Sequence, residues 1–146
     1  MNLDWLLPLL FFPAFLTLWI GVTFLIGATG GWRTLGKTYA LRGGPFTGRR
    51  WHMQSGAMGG FARYNNILTI GADLRGLYLA VFGPFRAGHP PLHIPWEQIR
   101  TRERRGWIFH SVDFTFAAAP GVQLSLSRKL AEEVMAVGGR ALPTSV

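Results

Sequence analysis

The chain has 146 residues, with 15 Lys and Arg against 7 Asp and Glu, a net charge of +8 and no cysteine. That length holds one small domain, and the missing thiols exclude disulfides, thiolate nucleophiles, zinc ribbons and iron–sulfur ligation within it. A surface this basic suits anionic phospholipid headgroups or nucleic acid. Arg far outnumbers Lys; Arg grips phosphate in a bidentate way, although a GC-rich genome gives the same bias without function.

From Trp5 to Trp32 there is no charged residue, and most positions are large and apolar. A helix rises about 1.5 Å per residue and a bilayer core is about 30 Å thick, so about 20 such residues cross it. The stretch is therefore expected to be a transmembrane helix. A cleaved signal peptide is the rival reading, with Ala28-Thr29-Gly30 as its small-residue site. Against it stand the long apolar core and the absence of a positive n-region, since the only charge before the core is Asp4. Pro13 sits inside the span and is expected to kink it. Phe11, Phe12, Phe15 and Trp19, beside Pro13, form an aromatic surface on which another membrane subunit could pack. Gly27 and Gly31 have the small-xxx-small spacing that lets helices approach, so a second copy of the chain is among the partners considered. At the end of the span the same glycines also read as helix terminators.

Arg33, Lys37, Arg42, Arg49 and Arg50 follow the span, whereas no Lys or Arg precedes it. The positive-inside rule then places the N-terminus outside and the rest in the cytoplasm of a bacterial inner membrane. Residues Trp32 to Leu41 carry Trp32, Leu35 and Tyr39 at helical spacing, with Arg33 and Lys37 beside them, and are expected to lie on the membrane as an amphipathic helix. Gly43 to Gly48 reads as a linker.

Strand and turn texture begins at Trp51. Ile67–Ile70 and Leu77–Phe82 read as a hairpin around Asp73, whose side chain can bond its own backbone. Leu92–Ile94 is a strand ended by Pro95. Residues 99–105 alternate, with Ile99, Thr101, Glu103 and Arg105 on one face and Arg100, Arg102 and Arg104 on the other. Trp107 to Phe116, including Phe109, alternates in the same way. Val122 to Ser127 is a further strand, and Ser127 or Ser125 caps a helix from Arg128 that Gly138-Gly139 ends.

Six or seven strands followed by one helix imply a mainly β chain with one N-terminal transmembrane helix. The β part is expected to be a small bent antiparallel sheet, or partial barrel, closed by a C-terminal helix. The divisions are a span over residues 1–31, a juxtamembrane segment and linker over 32–50, the β-domain over 51–137 and a tail over 138–146. Leu68-Thr69-Ile70-Gly71-Ala72-Asp73 leading into Gly76-Leu77-Tyr78-Leu79, the phrase Leu92-His93-Ile94-Pro95-Trp96-Glu97-Gln98-Ile99, and the helix after Val122–Ser127 together resemble the pleckstrin-homology-like superfold. The layout is similar to that of bacterial single-span membrane proteins of unassigned function that carry such a domain. The resemblance implies a fold and an adaptor-like habit.

No catalytic constellation stands out. His89 and His93 have i, i+4 spacing, but Pro90 and Pro91 between them forbid the helix that metal ligation at this spacing uses. No serine sits in a G-x-S-x-G elbow, and no phosphate-cradling glycine loop occurs. The chain is thus read as a non-enzyme without a cofactor: an accessory or docking subunit of an inner-membrane complex. The alternative is a module for anionic phospholipid headgroups. Either anionic partner would meet Arg100, Arg102, Arg104 and Arg105, with Arg33, Lys37, Arg49 and Arg50. The bland reading of the arginine strand is a sheet edge charged against aggregation. Arginines with Trp96 and Trp107 nearby also suit RNA, but a membrane tether argues against nucleic acid.

Overall fold

The computed structural model describes residues 2–59, 62–108 and 110–141. Helix α1, Leu6–Thr29, is long and apolar enough to cross a membrane, with a mean hydropathy of 2.3 over its best window. It runs unbroken through Pro13, and the Thr17 hydroxyl donates to the Pro13 carbonyl at 2.8 Å. Gly31, at φ 103°, adopts a left-handed conformation that favours glycine and turns the chain into α2, Trp32–Tyr39.

Seven antiparallel strands follow: β1 Arg49–Met58, β2 Ala62–Ala72, β3 Gly76–Val81, β4 Leu92–Pro95, β5 Ile99–Arg105, β6 His110–Phe116 and β7 Ala119–Ser127. Helix α3, Arg128–Val137, ends the described fold. The strands form one open sheet in the order β4-β3-β2-β1-β7-β6-β5. Both α2 and α3 lie across it: α2 contacts β4 and β7, and α3 contacts β2, β6 and β7. Strands far apart in the sheet order meet the same short helix, so the sheet curls around its helices. The bend begins in β1, where the pairing with β2 slips twice between Trp51 and Gly56 and Met53 takes a positive φ of 56°. Such irregularities bend a strand and increase its twist.

Local chemistry accounts for several boundaries. Asp73 Oδ1 accepts from the backbone N–H groups of Arg75 and Gly76 at 2.9 and 2.8 Å, which makes the β2–β3 turn. Ser127 Oγ accepts from the Leu130 N–H at 3.4 Å and caps α3. Strand β6 starts at His110 rather than Trp107. Arg105 pairs with His110, so Gly106, Trp107 and Ile108 lie outside the ladder, with Trp107 and Ile108 exposed. The expectations for Phe109 and for residues 142–146 of the tail fall outside the described residues.

Two expectations change in the packing. Trp32, Leu35 and Tyr39 do not lie on a membrane. They are buried in the same core as Leu68, Ile70, Leu79, Phe114 and Leu124. An amphipathic period requires only that its apolar face be covered, and here the curled sheet covers it. The Gly43–Gly48 segment is also more than a linker, because Phe46 is buried and stacks on Tyr78 with ring centroids 4.4 Å apart.

Candidate functional site

Two surfaces carry most of the unexplained chemistry: the junction between α1 and the sheet, and the outer face of strands β5, β6, β7 and β1.

The junction is built by the segment after β3, residues 82–91, which runs back along α1. The Trp19 indole N–H donates to the Pro84 carbonyl at 2.9 Å, and its ring lies 5.0 Å from Phe85. Further along, the Trp32 indole N–H donates to the Pro90 carbonyl at 2.8 Å. Between these two pegs the backbones of Gly27 and Gly88 touch, and any Cβ on Gly27 would collide with the Gly88 carbonyl. Gly27 is therefore used within the chain. Gly31 serves the α1–α2 turn, so the pair does not form a free helix-dimer face.

His89 is buried at this junction, with its ring against Trp32 at 5.2 Å. Its Nδ1 is 2.9 Å from the Ala87 carbonyl, which can only accept, so Nδ1 carries the proton. Nε2 then accepts from the Tyr64 hydroxyl at 2.9 Å. Burial lowers the His89 pKa more than its backbone bonds to Ala87 and Phe85 raise it, which keeps the ring neutral. Burial also pushes the Tyr64 phenol up to about 12. His93 takes a different partner, Asp73, at 3.2 Å. Burial would raise the Asp73 pKa, but the N–H groups of Gly76 and Arg75, together with His93, outweigh that and hold it low. The two histidines thus serve separate local networks.

Phe11, Phe15 and Trp19 form a ladder along α1, with ring centroids 5.9 and 5.8 Å apart, that continues into Phe85. The chain's own loop takes the Trp19 end, while Phe11 and Phe12 stay exposed. Beside the ladder, an apolar groove of about 410 Å³ runs between α1 and β2.

The second surface is polar. Arg102, Asp113, Ser125, Ala57 and Arg63 sit opposite one another on successive strands. Residues so paired share a face. Asp113 is buried at the base of this row: its Oδ1 accepts from the Ser125 hydroxyl at 2.6 Å, and its Oδ2 pairs with Arg104 at 2.8 Å. Arg105 lies near Glu103, at 3.9 Å, on the opposite face. Arg100 and Arg102 make no ion pair among the described residues and line a groove of about 490 Å³ with Thr115 and Gln123. The four arginines therefore divide, with two committed to carboxylates and two available.

The remaining basic residues also separate. Arg33 and Lys37 are exposed on the outer side of α2. Arg49 lies over the Trp51 ring at 4.7 Å, and Arg50 lies over Phe46 and Tyr78 and donates to the Phe46 carbonyl. Those two serve packing through cation–π contact. Residues missed in the sequence include Arg63, Tyr64 and Pro84, whose roles depend on pairings distant in the chain. Compared with protein families, with curated proteins and with solved structures, the chain matches none.

Proposed function

We propose that this protein is a non-catalytic accessory or docking subunit of a bacterial inner-membrane complex. In this reading α1 is its single span, the N-terminus is outside, and a basic pleckstrin-homology-like β-domain lies in the cytoplasm. The flanking charges support that direction: Arg33, Lys37, Arg42, Arg49 and Arg50 follow the helix. Seven antiparallel strands closed by a C-terminal helix support the fold assignment.

The observation that carries the docking role is the pair Arg100 and Arg102, free of carboxylates among the described residues, on the terminal strand of the sheet beside an open groove. Two guanidinium groups on alternate strand positions stand about 7 Å apart, a spacing that suits an acidic segment of a partner subunit. A photo-crosslinker at Thr115, which lies opposite Arg100 on the same face and lines the groove, tests this in intact membranes. A discrete crosslinked membrane protein is expected with the wild-type arginines and is lost in Arg100→Glu/Arg102→Glu. An unchanged adduct in that variant would overturn the role of the strand.

A second reading, anionic headgroup binding, is favoured by Arg33 and Lys37, which lie exposed immediately after α1. It predicts salt-sensitive attraction of the domain to phosphatidylglycerol over phosphatidylcholine.

A further inference from the structure

If α1 is a span, as the reading above holds, its contacts report the depth at which the β-domain sits. Counting about 20 residues from Trp5 brings the inner edge of the bilayer core near Leu25. Trp19 then lies about 9 Å inside that edge. Pro84 and Phe85 touch Trp19 directly, so the tip of the β3–β4 loop lies at that depth too. Apart from Arg86, whose long exposed side chain can snorkel toward the headgroups, the tip is suited to such a medium. Phe82 is 61% exposed although it is aromatic. The N–H groups of Phe82, Phe85 and Arg86 donate to Ile67, Phe82 and Gly83 carbonyls, Pro84 has no N–H, and the Pro84 carbonyl takes the Trp19 indole. Backbone groups satisfied internally are what an apolar environment demands.

The apolar groove beside this tip lies at the same depth. Phe15, Leu18, Val22 and Ile26 form one wall, and Ile67 and Phe85 belong to the other. Arg63 is also at the groove. Its neighbour Ala62 lies against Gly30, just past the end of α1, which puts Arg63 at headgroup height. Arg63 is exposed and makes no ion pair among the described residues.

We propose that the α1–β2 groove is a binding site for one anionic glycerophospholipid of the cytoplasmic leaflet, with an acyl chain along Phe15–Ile26 and its phosphate on Arg63. The site differs from the arginine strand: it recognises a whole lipid, chain included, and is part of how the domain is seated. A volume of about 410 Å³ falls in the range of small-ligand sites. A membrane lipid is the occupant that its depth supplies, and phosphate complements the Arg63 guanidinium at its mouth.

The test uses the full chain, reconstituted in phosphatidylcholine vesicles containing phosphatidylglycerol, re-extracted in mild detergent and weighed by native mass spectrometry. One phosphatidylglycerol per chain is expected to be retained. Val22→Trp, which fills the groove, and Arg63→Gln, which removes the charge at its mouth, are each expected to cut retention about tenfold. If Val22→Trp does not fold, Arg63→Gln at the exposed mouth still reads the site. Wild-type chain that retains no lipid, or an Arg63→Gln variant that retains as much as wild type, would overturn the proposal. The chain has no cysteine, so an environment-sensitive dye on Phe82→Cys reads depth separately. Aqueous emission in the vesicles would overturn the depth argument and the site with it. Apolar emission without retained lipid would overturn the site alone and leave the span reading standing.

Discussion

At the scale of single residues, the junction between helix and sheet depends on contacts with no room to spare. A side chain at Gly27 would meet the Gly88 backbone, so Gly27→Val is expected to destabilise the detergent-solubilised chain by about 1–3 kcal/mol through overpacking. Thermal unfolding measures this, and a melting point equal to wild type would contradict the contact. His89 gives a pH dependence of definite sign. Its folded pKa is lowered by burial, so the unfolded chain binds the proton more readily below about pH 6.5. The stability it contributes is present above that pH and is lost as pH falls toward the lower folded value. Melting between pH 8 and pH 5 should show this loss, and His89→Phe should flatten it. Some residue roles were legible in the sequence: Asp73 and Ser127 act on backbone two or three positions away, so the adjacent residues suffice to foresee them. The Tyr64–His89 and Trp19–Pro84 bonds were not, because they join positions that only the folded chain brings together.

At the scale of elements, the strands were the most readable part. Residues 99–105 alternate as expected, and β5 has the foreseen limits. Strand texture was legible from Trp51, but the limits of β1 were not, because its two register slips erase the period of two that marks a strand. Helix α2 shows a different limit. Its period was visible, but an apolar face does not say whether lipid or protein will cover it. Three of its residues belong to the core of the sheet, which leads to a practical expectation. A fragment beginning at Gly48 lacks Trp32, Leu35 and Tyr39 and should not fold cooperatively, since losing one large core side chain alone costs about 2–5 kcal/mol. A fragment beginning at Gly31 keeps them and should fold. Amide dispersion in NMR spectra of the two fragments compares them, and a folded Gly48 fragment would refute the role given to α2.

At the scale of the whole molecule, α1 and the sheet are held at several heights: the Trp19 and Trp32 indoles, the Gly27–Gly88 contact and the short turn at Gly30-Gly31. Trp19→Ala removes the deepest of these. It is expected to broaden the distance distribution between spin labels on Phe12→Cys and Arg102→Cys in vesicles, while the melting of the sheet changes little. An unbroadened distribution would mean that the upper contacts suffice. The two-residue turn has a mechanical consequence. A flexible tether would let the domain swivel while the helix tilts, but a helix pegged this way behaves as an axle. If α1 is the span proposed above, a change in bilayer thickness that tilts it turns the sheet with it, and Arg100 and Arg102 sweep through an arc at the far edge of the sheet. The membrane's thickness would then set where this protein aims its charge.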